Sequence, residues 1–130
     1  MEADLLAKIK ATTAVSALVS TRVNWSRRPQ GEALPAIVLH RIGGMPDVHH
    51  GGASGLSVSR VQVDCWGASY GAAKAIARAV QSAITARTFT QGSTRFDVIL
   101  VDSERDDSSD ETTPLFRTSL DLMVHSATAI

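Results

Sequence analysis

Apolar and polar positions change period several times along the chain, and each period marks an element. From Asp4 to Val19 the spacing is helical: Leu5, Leu6 and Ile9 share one face, and Val15, Leu18 and Val19 share another. The phase slips at Thr12 and Thr13, residues with helix-capping chemistry, which predicts one helix to about Lys10 and a short second helix capped by Thr13. Val23-Asn24-Trp25 reads as a brief strand, and Ser26 to Ala33 as a loop with Arg27-Arg28 before Pro29. Pro35 to Ile42 is a strand, apolar on both faces at its start. Gly43 to Gly55 holds five glycines and one proline, a composition that predicts a long mobile loop or arm.

Period two returns at Ser57 to Trp66. Ser59, Val61, Val63 and Cys65 fall on one face, and Arg60, Gln62, Asp64 and Trp66 on the other. Tyr70 to Ala86 is the clearest helix, with Ile76, Val80 and Ile84 repeating every four residues among alanines and Ser69 placed as its N-cap. Ser93 or Thr94 to Val101 reads as a strand with Phe96, Val98 and Leu100 inward. Leu115 to Val124 closes the pattern, with Phe116, Leu120, Leu122 and Val124 inward and Arg117, Ser119 and Asp121 outward. The order α-α-β-β-β-α-β-β predicts an α+β fold: a four-stranded antiparallel sheet with helices packed on one face, a long Gly-rich loop and an acidic hairpin loop. Nothing divides the chain, so residues 1–130 are expected to form a single domain. The other sheet face would carry Arg60, Gln62, Asp64, Arg95, Asp97, Arg117 and Asp121, the mixed charge of a solvated face, a lumen wall or a polar subunit contact.

Composition narrows the function. The 130 residues are 44% hydrophobic and 20% charged, ordinary for a globular domain. No apolar run reaches the roughly 18 residues that span a bilayer, so no membrane is expected, and MEADLLAKIK has acids where a secretory signal has bases. The formal net charge is zero, which speaks against a dedicated nucleic-acid binder. The charge is polarised, however: residues 97–111 hold seven acids and one Arg, and the segment before them has a matching basic excess.

Candidate chemistry is sparse. Gly67-Ala68-Ser69-Tyr70-Gly71 fits G-x-S-x-G between a strand and a helix, which would make Ser69 a nucleophile with His125 as base. The half-polar strand before it and the capping role open to Ser69 argue for structure instead. Cys65 is an inward-facing small hydrophobe with no basic neighbour in sequence, and as the single cysteine it can form no internal disulfide. His49 and His50, near Asp47, are adjacent residues on a glycine-rich segment, a poor metal geometry. Asp102 to Asp107 alternates acids without the glycine and terminal glutamate of a calcium loop. No catalytic residue, metal or cofactor is expected.

Several blocks together resemble a known family. They are Leu34-Pro35-Ala36-Ile37-Val38-Leu39-His40-Arg41, the Gly-rich segment ending Ser54-Gly55-Leu56, then Arg60-Val61-Gln62-Val63-Asp64-Cys65-Trp66 with an Ala-rich helix behind it. Glu104-Arg105-Asp106 and Leu115-Phe116-Arg117-Thr118-Ser119-Leu120-Asp121 complete the pattern. From Leu5 to Val124 the chain resembles the tail-completion, or tail-terminator, proteins of long-tailed bacteriophages and phage-derived particles such as gene transfer agents. The resemblance implies a structural, non-enzymatic protein. It would form a homo-oligomeric ring, usually a hexamer, on the head-proximal end of the tail tube. Its partners would be other copies of itself, the tail tube protein and the head connector or stopper protein, with DNA passing through the lumen without sequence recognition. The location would be the virion, after assembly in the host bacterial cytoplasm. Subunit or ring contacts are expected at Arg22, Arg27, Arg28, Asp47, His49, His50, Glu104, Arg105, Asp106, Asp107, Asp110 and Glu111. The other function classes are a small serine hydrolase using Ser69 and a monomeric ligand-binding α+β module.

Overall fold

A computed structural model describes residues 2–20, 22–26, 35–49, 52–85, 88–92, 94–108 and 115–128. Helices α1 (Glu2–Ala11) and α2 (Thr13–Val19) come first, followed by strands β1 (Val23–Trp25), β2 (Ala36–His49) and β3 (Gly52–Gly67). Helix α3 (Tyr70–Ile84) then leads to β4 (Phe89–Gln91), β5 (Thr94–Ser108) and β6 (Phe116–Thr128). The α+β class holds, but the sheet has six strands, in the order β1-β2-β3-β6-β5-β4. It is not wholly antiparallel, because β1 runs parallel to β2 through Val23↔Ile37 to Trp25↔Leu39.

The core lies between the helices and one face of this sheet. Leu5 and Ile9 of α1, Val15 and Val19 of α2, and Ile76, Ala77, Val80 and Ile84 of α3 are buried against Ile37, Leu39, Val61, Val63, Cys65, Phe96, Leu120, Leu122 and Val124. Alternation explains the strand contribution: Val61, Val63 and Cys65 pair with Leu122, Leu120 and Thr118 on the helix side. The small side chains of α3 let it lie close on β3 and β6. The sheet curls enough that α1 touches both β1 and β4, its two outermost strands. Phe89 stacks on Phe96 with ring centroids 4.8 Å apart, which ties the short β4 to this core.

Four expectations change. The segment Gly43 to Gly55 is no loose arm along its described length: β2 and β3 pair through it, from Gly43↔Arg60 to His49↔Gly52. Strand partners supply the backbone bonds, and among the described residues no strand lies on the outer side of β2 at Pro46, where a proline is tolerated. The acidic stretch Asp102 to Asp107 is strand, within β5, rather than a hairpin loop. Val98 and Leu100 point away from the core. A register shift between Phe96 and Val98 inserts Asp97 as an extra residue, so Ile99 is buried in their place. Finally, the N-cap of α2 is Thr12, and its hydroxyl donates back to the Lys8 carbonyl at 2.9 Å instead of capping the new helix.

Candidate functional site

The chemistry-bearing side chains gather on the open face of the sheet, opposite the helices. Cross-strand register builds it in rows: Gln62 lies beside Asp121 and His40, Asp64 beside Ser119, and Trp66 beside Arg117. In β5, Ser103, Arg105 and Asp107 extend these rows next to Asp121, Ser119 and Arg117. The face expected from alternation is therefore present, but it is not freely solvated. Asp64 is only 2% exposed and Ser119 fully buried.

Asp64 is the hub. Its Oδ1 accepts from Ser119 Oγ at 2.6 Å and from Gln62 Nε2 at 2.8 Å, while Oδ2 faces His40 Nε2 at 3.2 Å and an Arg117 nitrogen at 3.9 Å. Such a carboxylate is held by several donors at once, which a buried charge requires. Arg117 also pairs with Asp107 and lies over the Trp66 ring at 5.4 Å. Asp121 accepts from Ser103 Oγ at 2.8 Å, with Arg105 at 3.4 Å, leaving its Oδ1 buried without a partner among the described residues. Beyond this polar zone the same face is mixed, with Val58, Met123, Val98 and Leu100 standing among Arg60 and His125.

The acidic stretch is divided by strand alternation. Glu104 and Asp106 face the helix side, where Lys74 Nζ meets Glu104 at 2.5 Å and Asp106 at 3.1 Å, and Arg78 meets Glu104 at 2.9 Å. Lys74 and Arg78 are four apart on α3 and so share one helix face. The bond from Lys74 holds both carboxyls below their usual range and raises the lysine in turn. Asp106 also accepts from Thr118 Oγ1 at 2.9 Å. The anchoring role of Lys74 and Arg78 escapes a reading by charge density alone, although their spacing against alternating acids carries the signal.

The other expected contact residues are scattered. Arg22 Nε donates to the Pro35 carbonyl at 2.7 Å, joining the approaches to β1 and β2. Asp47 and His49 lie in the β2 part of the hairpin, Asp47 at a register shift between Pro46 and Val48. Arg27, Arg28, His50, Asp110 and Glu111 lie outside the described residues.

Ser69 serves as the N-cap of α3, its Oγ accepting from Ala72 N at 3.1 Å. His125 is opposite Val58, nine positions along β3 from Gly67, or roughly 30 Å at strand rise. The geometry therefore does not assemble the Ser69–His125 pair that the motif suggested. Cys65 is fully buried, and burial first, then Asp64 and Glu104, pushes its thiol up, away from the reactive thiolate. Among the described residues no group of three or more His, Cys, Asp or Glu is placed to hold a metal ion, and no helix is long and apolar enough to cross a membrane.

No curated protein matches the chain. A solved structure does: a chain of the "Virion of native gene transfer agent (GTA) particle" matches with a TM-score of 0.80 at 19% identity, covering 98% of this chain and 94% of that one. At that identity the likeness is one of fold. The family described as Tail completion protein gp17 matches residues 3–125, both helical and strand parts of the core included. With that match over nearly its whole length, the chain belongs to the phage tail-completion family, whose members are structural proteins of the tail.

Proposed function

We propose that the protein is a single-domain subunit of a ring, a hexamer, that caps the head-proximal end of the tail tube and joins it to the head connector. The observation that carries this reading is the family match across residues 3–125, alongside a whole-chain fold likeness to a virion chain. The open face supports it, since its buried charges answer one another within a subunit instead of converging on a substrate. Size supports it as well. A compact chain of this length has a radius of gyration of about 14 Å, and six such bodies in a ring leave an opening of roughly 36 Å for DNA. DNA passes without sequence recognition. Arg22, Arg27, Arg28, Asp47, His49, His50 and the acids from Glu104 to Glu111 supply contacts to neighbouring copies or rings.

The test is electron microscopy of the purified protein alone and mixed with tail tubes, with its mass in solution measured in parallel. Closed rings and tubes capped at one end are expected. Monomers that leave every tube end bare would overturn the proposal.

A further inference from the structure

Backbone strain is concentrated at one edge of the sheet. Among the described residues, the non-glycine positions with positive φ are Ser20, at 57°, and Ser26, at 73°. Between them lies β1, the outermost strand at that edge, three residues long and paired only with β2. Ser20 ends α2, its N–H donating to the Ser16 carbonyl. Arg22 N–H then donates to the Val19 carbonyl at 3.0 Å, closing a tight turn in which Ser20 holds the first inner position. With ψ at −124°, Ser20 lies outside the left-handed helical region and near the type II′ conformation, where glycine is the usual residue. Ser26 keeps its positive φ while its N–H donates to the Leu39 carbonyl at 2.7 Å.

Strained residues persist only where their surroundings fix them, and they cluster in segments that switch. Here the fixing contacts run almost entirely to β2 and its approach. Ile37 N–H donates to the Arg22 carbonyl at 2.9 Å, and Arg22 Nε donates to the Pro35 carbonyl at 2.7 Å. Of the β1 side chains, Val23 is buried in the core and Trp25 packs partly against it. Helices α1 and α2 are held separately, by packing on each other and on α3.

We propose that β1 is a spring-loaded latch, in which Ser20 and Ser26 hold strain that is released when residues 22–26 leave β2 together. The helices and the other strands stay folded. Closed, the latch covers the outer backbone edge of β2 at Ile37, Val38 and Leu39. Open, it bares that edge and withdraws Val23 from the core. The inference stands whether or not copies of the chain form a ring.

Native-state hydrogen exchange on the whole chain tests it. The amides of Ile37 and Ser26 report on the latch, because each bonds across the β1–β2 contact. Those of Val61 and Val63, in β3 between β2 and β6, report on the centre of the sheet. Local opening exposes little surface. Exchange at Ile37 and Ser26 should therefore be faster than at Val61 and Val63 and nearly insensitive to low urea. Ser20→Gly and Ser26→Gly relieve the closed state, so each should slow exchange at Ile37 about three- to tenfold. Ile37 exchanging as slowly as Val63, with the same urea dependence, would mean that β1 opens only with the whole protein and would overturn the latch. Local opening that either glycine fails to slow would overturn the two strained serines as its spring.

Discussion

Gly67 and Gly71 flank Ser69 symmetrically in sequence, yet alanine should act on them with opposite sign. A Cβ on Gly67 would lie 2.7 Å from Ala73 N and 3.0 Å from Ala72 Cβ. Those atoms belong to the first turn of α3, held by bonds from Ala72 N to Ser69 Oγ and from Ala73 N to Ser69 O, both 3.1 Å. Relief requires α3 to lift from the end of β3 or the cap to open. Overpacking of this kind costs about 1–3 kcal/mol, and a lost cap about 1 kcal/mol. Gly67→Ala should therefore destabilise by about 2–3 kcal/mol. At Gly71 a Cβ meets nothing within 4 Å, and the residue is helical. Gly71→Ala should stabilise by about 0.4–1 kcal/mol, chiefly by restricting the unfolded chain. Urea unfolding decides, because slopes of about 1–3 kcal/mol per molar separate the two midpoints by about 0.8 M or more. Equal midpoints, or a Gly67→Ala protein as stable as the parent, would refute the tight strand–helix approach.

Two further perturbations address the charged groups. Asp64→Ala should cost about 1–3 kcal/mol by stranding the Ser119 and Gln62 donors, and Asp64→Asn less, since it keeps an acceptor for Ser119; an unchanged urea midpoint in the alanine variant would sink the hub assignment. The Lys74 clasp should also shape the pH profile. Glu104 and Asp106 are held below their ordinary values of 4.5 and 3.8, so their contribution is present above those values and lost as pH falls through the lowered folded ones. Lys74 is raised from 10.5, so its contribution is present below that value and lost as pH rises through the folded one. Lys74→Met should flatten the acid limb of the urea midpoint measured from pH 6 to pH 3, and an unaltered limb would refute the coupling.

Where residues announce their partners by period, the fold was legible. Val61, Val63 and Cys65, the Ile76–Val80–Ile84 row and the Ser69 cap all fell where spacing put them. The β5 phase was not legible, because Val98-Ile99-Leu100-Val101 is an unbroken apolar run and only hydrogen-bond register reveals that Asp97 is extra. Glycine count hid the β2–β3 hairpin, since local preference weighs nothing against a partner strand supplying every second backbone bond. Charge density likewise hid β5 beyond Val101. Its alternation, with Glu104 and Asp106 to one side and Arg105 and Asp107 to the other, becomes meaningful once Lys74 and Arg78 stand opposite. Most of the open-face set was visible as a mixed-charge stripe, but that Asp64 would be its buried centre was not.

The sheet order has a bearing on how the chain acquires its structure during synthesis. β6 is made after the other five strands, yet it lies between β3 and β5 near the middle of the sheet. Until residues 116–128 have left the ribosome, β3 and β5 each lack their inner neighbour, and Val63 and Cys65 have no Leu120 and Thr118 beside them. The early hairpin of β2 and β3 is local and can form first, but closing the core waits on pairing across about sixty residues of sequence, the slow kind of contact. Nascent chains therefore carry a half-built sheet with two extra bare strand edges, and a transcript stopped short of β6 yields a sticky fragment rather than a smaller folded protein. The core of each copy thus closes only once β6 is available, which keeps chains lacking β6 from competing as folded subunits.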